Sequence, residues 1–316
     1  MRLLISLKRL IKNCLPKLKP FDTGYLPECD GHLIFYQQFG NQKGEPVLSF
    51  HGGPGGCSKA SHASNYNLKK YRVILFDQRG CGLSQSADPF YKNTIQATVK
   101  DALRLLEHLH ITQKVTIAGA SYGSTCALLF AEEHPEKVKR LILSCIFLAR
   151  PCDIQNCSAS AALFYPDAVD LFHAQAQKAG ARSVEAYYSD LIFSNKLSDN
   201  KRALKYYGSF EHQLGHYSLK FEDAEQAPDT KAIQRFRIVM HYMTHKMFLS
   251  DNQLLQNADK ISHIPTTIYQ NRLDFCCPPY QAYELHKALP SSRLRLIADR
   301  GHGSEKLFAA MREDLK

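Results

Sequence analysis

Several things are missing from this chain, and each absence narrows what it can do. Its first apolar run, Leu3-Leu4-Ile5-Ser6-Leu7, is too short for a membrane span or for the core of a secretory signal. The ten cysteines have no framework spacing. Cys126 and Cys145 fall in apolar segments, and the adjacent Cys276 and Cys277 suit neither a routine disulfide nor a zinc pair. Reduced thiols, and with them a cytoplasmic location, are the expectation. No His-Glu-x-x-His motif occurs. The pairs His212/His216 and His241/His245 have helical spacing but lack the metalloprotease glutamate, so packing rather than metal binding is expected of them. The net charge is +10, yet basic residues gather only at Lys8, Arg9, Lys12, Lys17 and Lys19. Without an aromatic-basic motif this reads as a solvated basic surface and not as a nucleic-acid interface. There is no internal repeat and no long low-complexity segment. No motif asks for a cofactor.

With 316 residues, 44% of them hydrophobic, the chain is large enough for one α/β core and an inserted second layer. Short apolar runs alternate with helical stretches from about residue 32 to 147, including the strand Val73-Ile74-Leu75-Phe76 and a helix over 95–110. Such alternation indicates a mainly parallel sheet flanked by helices. From residue 148 to 257 the strand runs vanish, and helical stretches over 174–193 and 230–248 replace them. Strands return near Thr266 and Leu294. The expected organisation is a core over 20–147 and 258–316 with a helical cap over 148–257. Residues 1–19 carry Leu3, Leu4, Leu7, Leu10 and Ile11 at helical spacing among basic residues. That suits an amphipathic surface helix ended by Pro16 and Pro20. It is expected to pack on the body, fray, or touch a membrane surface weakly.

The most informative run is Gly119-Ala120-Ser121-Tyr122-Gly123, between the apolar strand Val115-Thr116-Ile117-Ala118 and a helix that includes residues 125–131. A serine between glycines at a strand-to-helix turn is the nucleophile elbow of the α/β-hydrolase fold. The serine needs a base, and the base needs an orienting carboxylate, in the chain order Ser, acid, His. His302, in the loop Gly301-His302-Gly303 after the strand Leu294-Arg295-Leu296-Ile297, is preferred to His286, which sits in a helical stretch. Asp274, leaving the strand that starts near Ile264, is preferred as the acid. Asp259 precedes that strand, and Asp299 is too close in sequence to His302. The oxyanion needs donors already in place. The N–H of Tyr122 is one. The other belongs to the loop His51-Gly52-Gly53-Pro54-Gly55-Gly56, with Gly53 preferred to Gly52. That loop lacks the lysine and Ser/Thr of a phosphate-binding loop.

These runs, with Asp77-Gln78-Arg79-Gly80-Cys81-Gly82-Leu83-Ser84 and Pro20-Phe21-Asp22-Thr23-Gly24-Tyr25-Leu26, resemble the proline iminopeptidase family over nearly the whole chain from residue 20 to about 315. The resemblance implies a peptide substrate with an N-terminal proline, its amine bound by carboxylates from the cap. Phe210-Glu211 matches a family Trp-Glu pair, which makes Glu211 the amine anchor. Val239 and Ser144 stand where the family has glutamate and arginine, while Phe147 is kept to pack on the pyrrolidine ring. The leading expectation is therefore a serine aminopeptidase releasing N-terminal proline. An esterase, amidase or lactonase with the same triad is the alternative. A catalytically silent binding module is the third reading, and an intact Ser121, Asp274 and His302 speak against it.

Overall fold

The computed structural model describes residues 18–216 and 230–316. The amphipathic stretch and its membrane contact, expected over 1–19, lie outside these residues except for Leu18 and Lys19. Among the described residues no helix is long and apolar enough to cross a membrane.

The apolar runs become strands: β1 (Asp22–Tyr25), β2 (His32–Leu33), β3 (Phe35–Gly40), β4 (Glu45–Phe50), β5 (Tyr71–Phe76), β6 (Gln85–Ser86), β7 (Val115–Ala120), β8 (Val138–Ser144), β9 (Thr266–Leu273) and β10 (Ser292–Arg300). Eight of them form one sheet in the order β1-β3-β5-β4-β7-β8-β9-β10, and β2 pairs with β6 apart from it. The β1/β3 and β3/β5 ladders are antiparallel, and the rest of the sheet is parallel. A parallel strand covered on both faces reads as an unbroken apolar run. β7 does so, buried from Val115 to Gly119. Its register sets Ile117 beside Leu48 on one side and Leu141 on the other.

Helices cover this sheet. Ile95–His108 turns Ile95, Val99, Ala102, Leu105 and Leu106 inward, with Thr94 Oγ1 capping it by accepting from the Ala97 N–H at 3.2 Å. It stops two residues short of the expected end, because His110 adopts a left-handed conformation (φ 54°). Tyr122–Glu133 is buried nearly all round, as a helix wedged against a sheet must be when apolar on every side.

Between β8 and β9 the described residues contain only helices. They include Pro151–Ala162, Pro166–Lys178, Val184–Phe193, Leu197–Ala203, Ser209–His216 and Thr230–Thr244. Tyr165, Phe172, Tyr188, Phe210, Phe236 and Met240 form an apolar cluster of their own there. Phe172 stacks on Tyr188 and on Phe210, with centroids 4.9 and 4.5 Å apart. The helical stretch expected over 174–193 is two helices. The first ends at Lys178, Gly180 takes φ 62°, and Ser183 caps the second by accepting from the Ala186 N–H. The stretch expected over 230–248 ends at Thr244, and Lys246, Met247 and Phe248 all have positive φ.

The parallel strands all end on one edge. That edge gathers the loop after Phe50, Ser121 after β7, Ser144 at the end of β8, Asp274 after β9 and the 301–303 loop after β10. The carboxyl edge of a parallel sheet is where such folds hold ligands.

Candidate active site

Ser121 sits at φ 57°, ψ −131°, a conformation that costs an L-residue of order 1–3 kcal/mol. Its neighbours make the turn compulsory. A Cβ on Gly119 would lie 2.0 Å from the Gly123 carbonyl oxygen, and one on Gly123 2.3 Å from that of Phe50. The Ser121 N–H donates to Ser144 O at 3.0 Å, and Ser124 donates to Ser121 O through both its N–H and its Oγ–H. These bonds fix the backbone and leave the Ser121 side chain facing a cavity of about 1260 Å³.

His302 lines the same cavity. Its Nδ1 lies 2.9 Å from Asp274 Oδ2 and 3.1 Å from Oδ1. Asp274 is buried, but its charge is well met. Oδ1 accepts from the N–H groups of Cys276 and Cys277, and Oδ2 from Gln270 Nε2. Burial pulls the His302 pKa down. Asp274, by charge and by hydrogen bond, and Glu211, by charge, outweigh it and hold the ring above the usual 6.5. The 301–303 loop can carry this histidine because Gly301 and Gly303 take φ 86° and 84°. Asp259 is exposed ahead of β9, and Asp299 bonds to Ser304. His286 lies in the helix Tyr280–Ala288 against Ser292 Oγ at 2.7 Å.

The sequence did not single out what steadies these groups. Gln270 donates to Asp274 and to Cys277 O and accepts from the Ile146 N–H, so it ties the acid to the end of β8. His51 is buried. Its Nε2 accepts from the Gln78 N–H at 3.0 Å, which leaves Nδ1–H to donate to Gly52 O at 2.9 Å. Burial depresses its pKa and keeps it neutral in that tautomer. The loop it holds is tightly curled: a Cβ on Gly53 would meet Gly56 N at 2.6 Å, and one on Gly56 would meet Gly52 O at 2.2 Å. Gly52 lies against Ala120 and Ser121, which brings the loop beside the elbow. Asp77 ties the stretch down, accepting from the Ser58 and Leu83 N–H groups, while Arg79 is buried in an ion pair with Asp101. Tyr122 opens its helix, so its N–H has no carbonyl of that helix to bond.

Cys145 comes within this group as well. The donor atoms of Cys145, Asp274 and His302 all lie within 4.8 Å of one another. Burial, with Asp274 nearby, pushes the Cys145 thiol well above its usual value, so it is a protonated neighbour of the pair. Cys29, Cys57, Cys81, Cys126, Cys145 and Cys152 are in no disulfide. His241 Nε2 donates to Asn93 O and His245 Nδ1 to His241 O. The His216 side chain lies outside the described residues.

Phe147, Glu211 and Val239 also line the cavity. Phe147 is anchored through its backbone, donating to Ser124 Oγ and accepting from Thr125 Oγ1. Glu211 belongs to the helix Ser209–His216. One turn on, Gly215 O accepts the His302 N–H at 2.8 Å, so Glu211 stands on the helix face that docks onto the histidine loop. Its carboxylate also accepts from Arg235 Nη2 at 3.3 Å. Preceding it, Leu204–Gly208 forms a π-helical turn, a distortion frequent at functional sites.

The alpha/beta hydrolase fold family matches residues 45–304. The chain is 37% identical over 294 residues to a proline iminopeptidase of Arabidopsis thaliana, covering 92% of this chain and 77% of that one. It is 35% identical over 284 residues to the proline iminopeptidase of Neisseria gonorrhoeae, covering 88% and 90%. Among solved structures, an alpha/beta hydrolase enzyme from a Medee basin deep-sea metagenome library superposes with a TM-score of 0.65 at 19% identity, covering 92% and 96%, which speaks to the fold alone.

Proposed function

The chain belongs to the proline iminopeptidase family of the alpha/beta hydrolase fold, and from that membership we propose that it is a serine aminopeptidase releasing N-terminal proline from peptides. The observation that carries the reading is the Asp274–His302 hydrogen bond opening on the cavity that holds Ser121 at its strained turn. In this reading Ser121 Oγ attacks the prolyl carbonyl carbon while His302 Nε2 takes its proton. The N–H groups of Tyr122 and Gly53 hold the oxyanion. The tetrahedral intermediate collapses, the C–N bond breaks, and His302 returns the proton to the leaving amine. Water, deprotonated by the same ring, then cleaves the prolyl ester and frees Ser121. Asp274 keeps Nδ1 protonated and the ring aimed throughout. Glu211 pairs with the prolyl ammonium, and Phe147 packs on the pyrrolidine. Residues 148–257 serve as the cap that carries Glu211 over the core. Unpaired cysteines suit a cytoplasmic enzyme.

The test is a pair of arylamides, one prolyl and one N-blocked prolyl. A charge-assisted hydrogen bond is worth roughly 1.5–3 kcal/mol, and a partly exposed carboxylate falls at the lower end. Glu211→Gln is therefore expected to lower kcat/KM for the free amine by about tenfold more than for the blocked compound. Equal losses on both sink the amine-anchor role.

The same glutamate is legible in the pH profile. The base must be neutral to act, so kcat/KM on an uncharged substrate falls as pH drops through the His302 pKa. That acid limb is expected above pH 6.5, the usual histidine value. Glu211→Gln removes one of the charges that raise it and is expected to move the limb to lower pH. A limb that stays put means that Glu211 does not act on His302.

A further inference from the structure

We propose that this cavity also turns over uncharged acyl groups, and that Arg235 is the residue that sets the balance between them and free-amine prolyl substrates. The proposal rests on the aminopeptidase reading and concerns the same site. Its basis is the charge at the acyl end. Glu211 and Arg235 both line the cavity, and the Arg235 guanidinium bonds to the Glu211 carboxylate at 3.3 Å. Among the described residues, the carboxylates lining the cavity are Asp153, Glu185, Glu211 and Glu305. Asp153 is tied to Arg150 and to the Tyr280 hydroxyl, and Glu305 to Arg312. Glu185 is exposed in the first turn of its helix. Among these lining carboxylates, Glu211 is thus the one whose charge, beside that of Asp274, reaches His302, and an arginine partly offsets it.

The consequence follows from Coulomb's law. A substrate ammonium at Glu211 must share the carboxylate with Arg235 and sit within several ångströms of a like charge. An uncharged acyl group of the same shape does not meet that repulsion. Val239, buried in the cavity wall, offers such a group apolar contact and an ammonium nothing. Arg235 cannot withdraw as a whole, because its backbone carbonyl and Cγ lie against Gly55. A Cβ on that glycine would be 2.5 and 3.2 Å from them. The pair is about half exposed, with side chains 54% and 41% accessible, so its grip on Glu211 is modest.

Arg235→Met keeps the stem and removes the charge. The probes are prolyl 2-naphthylamide and cyclopentanecarbonyl 2-naphthylamide, the second having the five-membered ring without the amine. The wild type is expected to hydrolyse both, Ser121-dependently, with kcat/KM values within about tenfold of each other. Arg235→Met is expected to raise the prolyl-to-cyclopentanecarbonyl ratio about fivefold, and adding Glu211→Gln to cancel the rise. An unchanged ratio overturns the proposal. A lower ratio does too, since Arg235 would then be holding Glu211 in place for the ammonium. If the wild type hydrolyses the prolyl compound alone, the second activity falls and the aminopeptidase reading stands. If it hydrolyses the cyclopentanecarbonyl compound alone, the aminopeptidase reading falls and takes the proposal with it.

Discussion

Ser121→Ala is expected to lower kcat on a prolyl arylamide by about a millionfold, the scale on which removal of a triad nucleophile acts. Its thermal midpoint is expected to stay close to wild type. The two outcomes separate because the backbone and the side chain of Ser121 do different work. The backbone holds the turn: its N–H donates to Ser144 O and its carbonyl accepts from Ser124. An alanine keeps both bonds and is no more strained at φ 57° than serine. Only the hydroxyl goes, and with it the covalent intermediate. Single-turnover kinetics and a melting curve by circular dichroism check the pair of expectations. A residual rate above about one per cent of wild type means that another group is the nucleophile. Labelling by a fluorophosphonate should vanish with the hydroxyl, which also disposes of a silent binding module if the wild type labels.

The elbow was legible because two backbone contacts dictate it. Cβ atoms at 119 and 123 would collide with carbonyl oxygens, so the glycines are imposed by packing and appear in the sequence as a motif. The buried strands were legible for a similar reason: a strand covered on both faces has no polar positions to confuse the pattern. Asp274 and His302 could be picked by chain order and by their places after β9 and β10. The cap was harder. Its helices are short and two-sided, and the turn at Gly180 is marked by one glycine and a capping serine within a run that reads as helical throughout. Gln270 left no trace, one polar residue among several in its strand, and nothing local says that it faces Asp274. Arg235 left none. It meets Glu211 across 24 positions and two helices, and no periodicity connects them. Such pairings are set by tertiary packing, which propensity and spacing do not encode.

Asp274→Asn is expected to lower kcat by about 10⁴-fold, with the protein still folded. The reason lies in which atoms accept. Oδ1 of Asp274 takes two backbone N–H groups, from Cys276 and Cys277. An asparagine must keep its oxygen there, so its NH₂ replaces Oδ2. That nitrogen would face Gln270 Nε2 and His302 Nδ1, where the carboxylate now accepts from both. His302 then has to present Nδ1 as an acceptor, which places its proton on Nε2. A ring protonated on Nε2 cannot take the Ser121 proton. The charge that raises the His302 pKa is lost as well. His302→Gln should be at least as damaging, since it removes the base outright. His286→Gln is the control. Its ring faces Ser292 from the helix Tyr280–Ala288, outside the cavity lining, and its loss should change kcat by less than about twofold. Steady-state kinetics on the three variants decides the assignment. A silent His302→Gln beside a crippled His286→Gln would reverse the choice of base, and a silent Asp274→Asn would mean that some other group orients the ring.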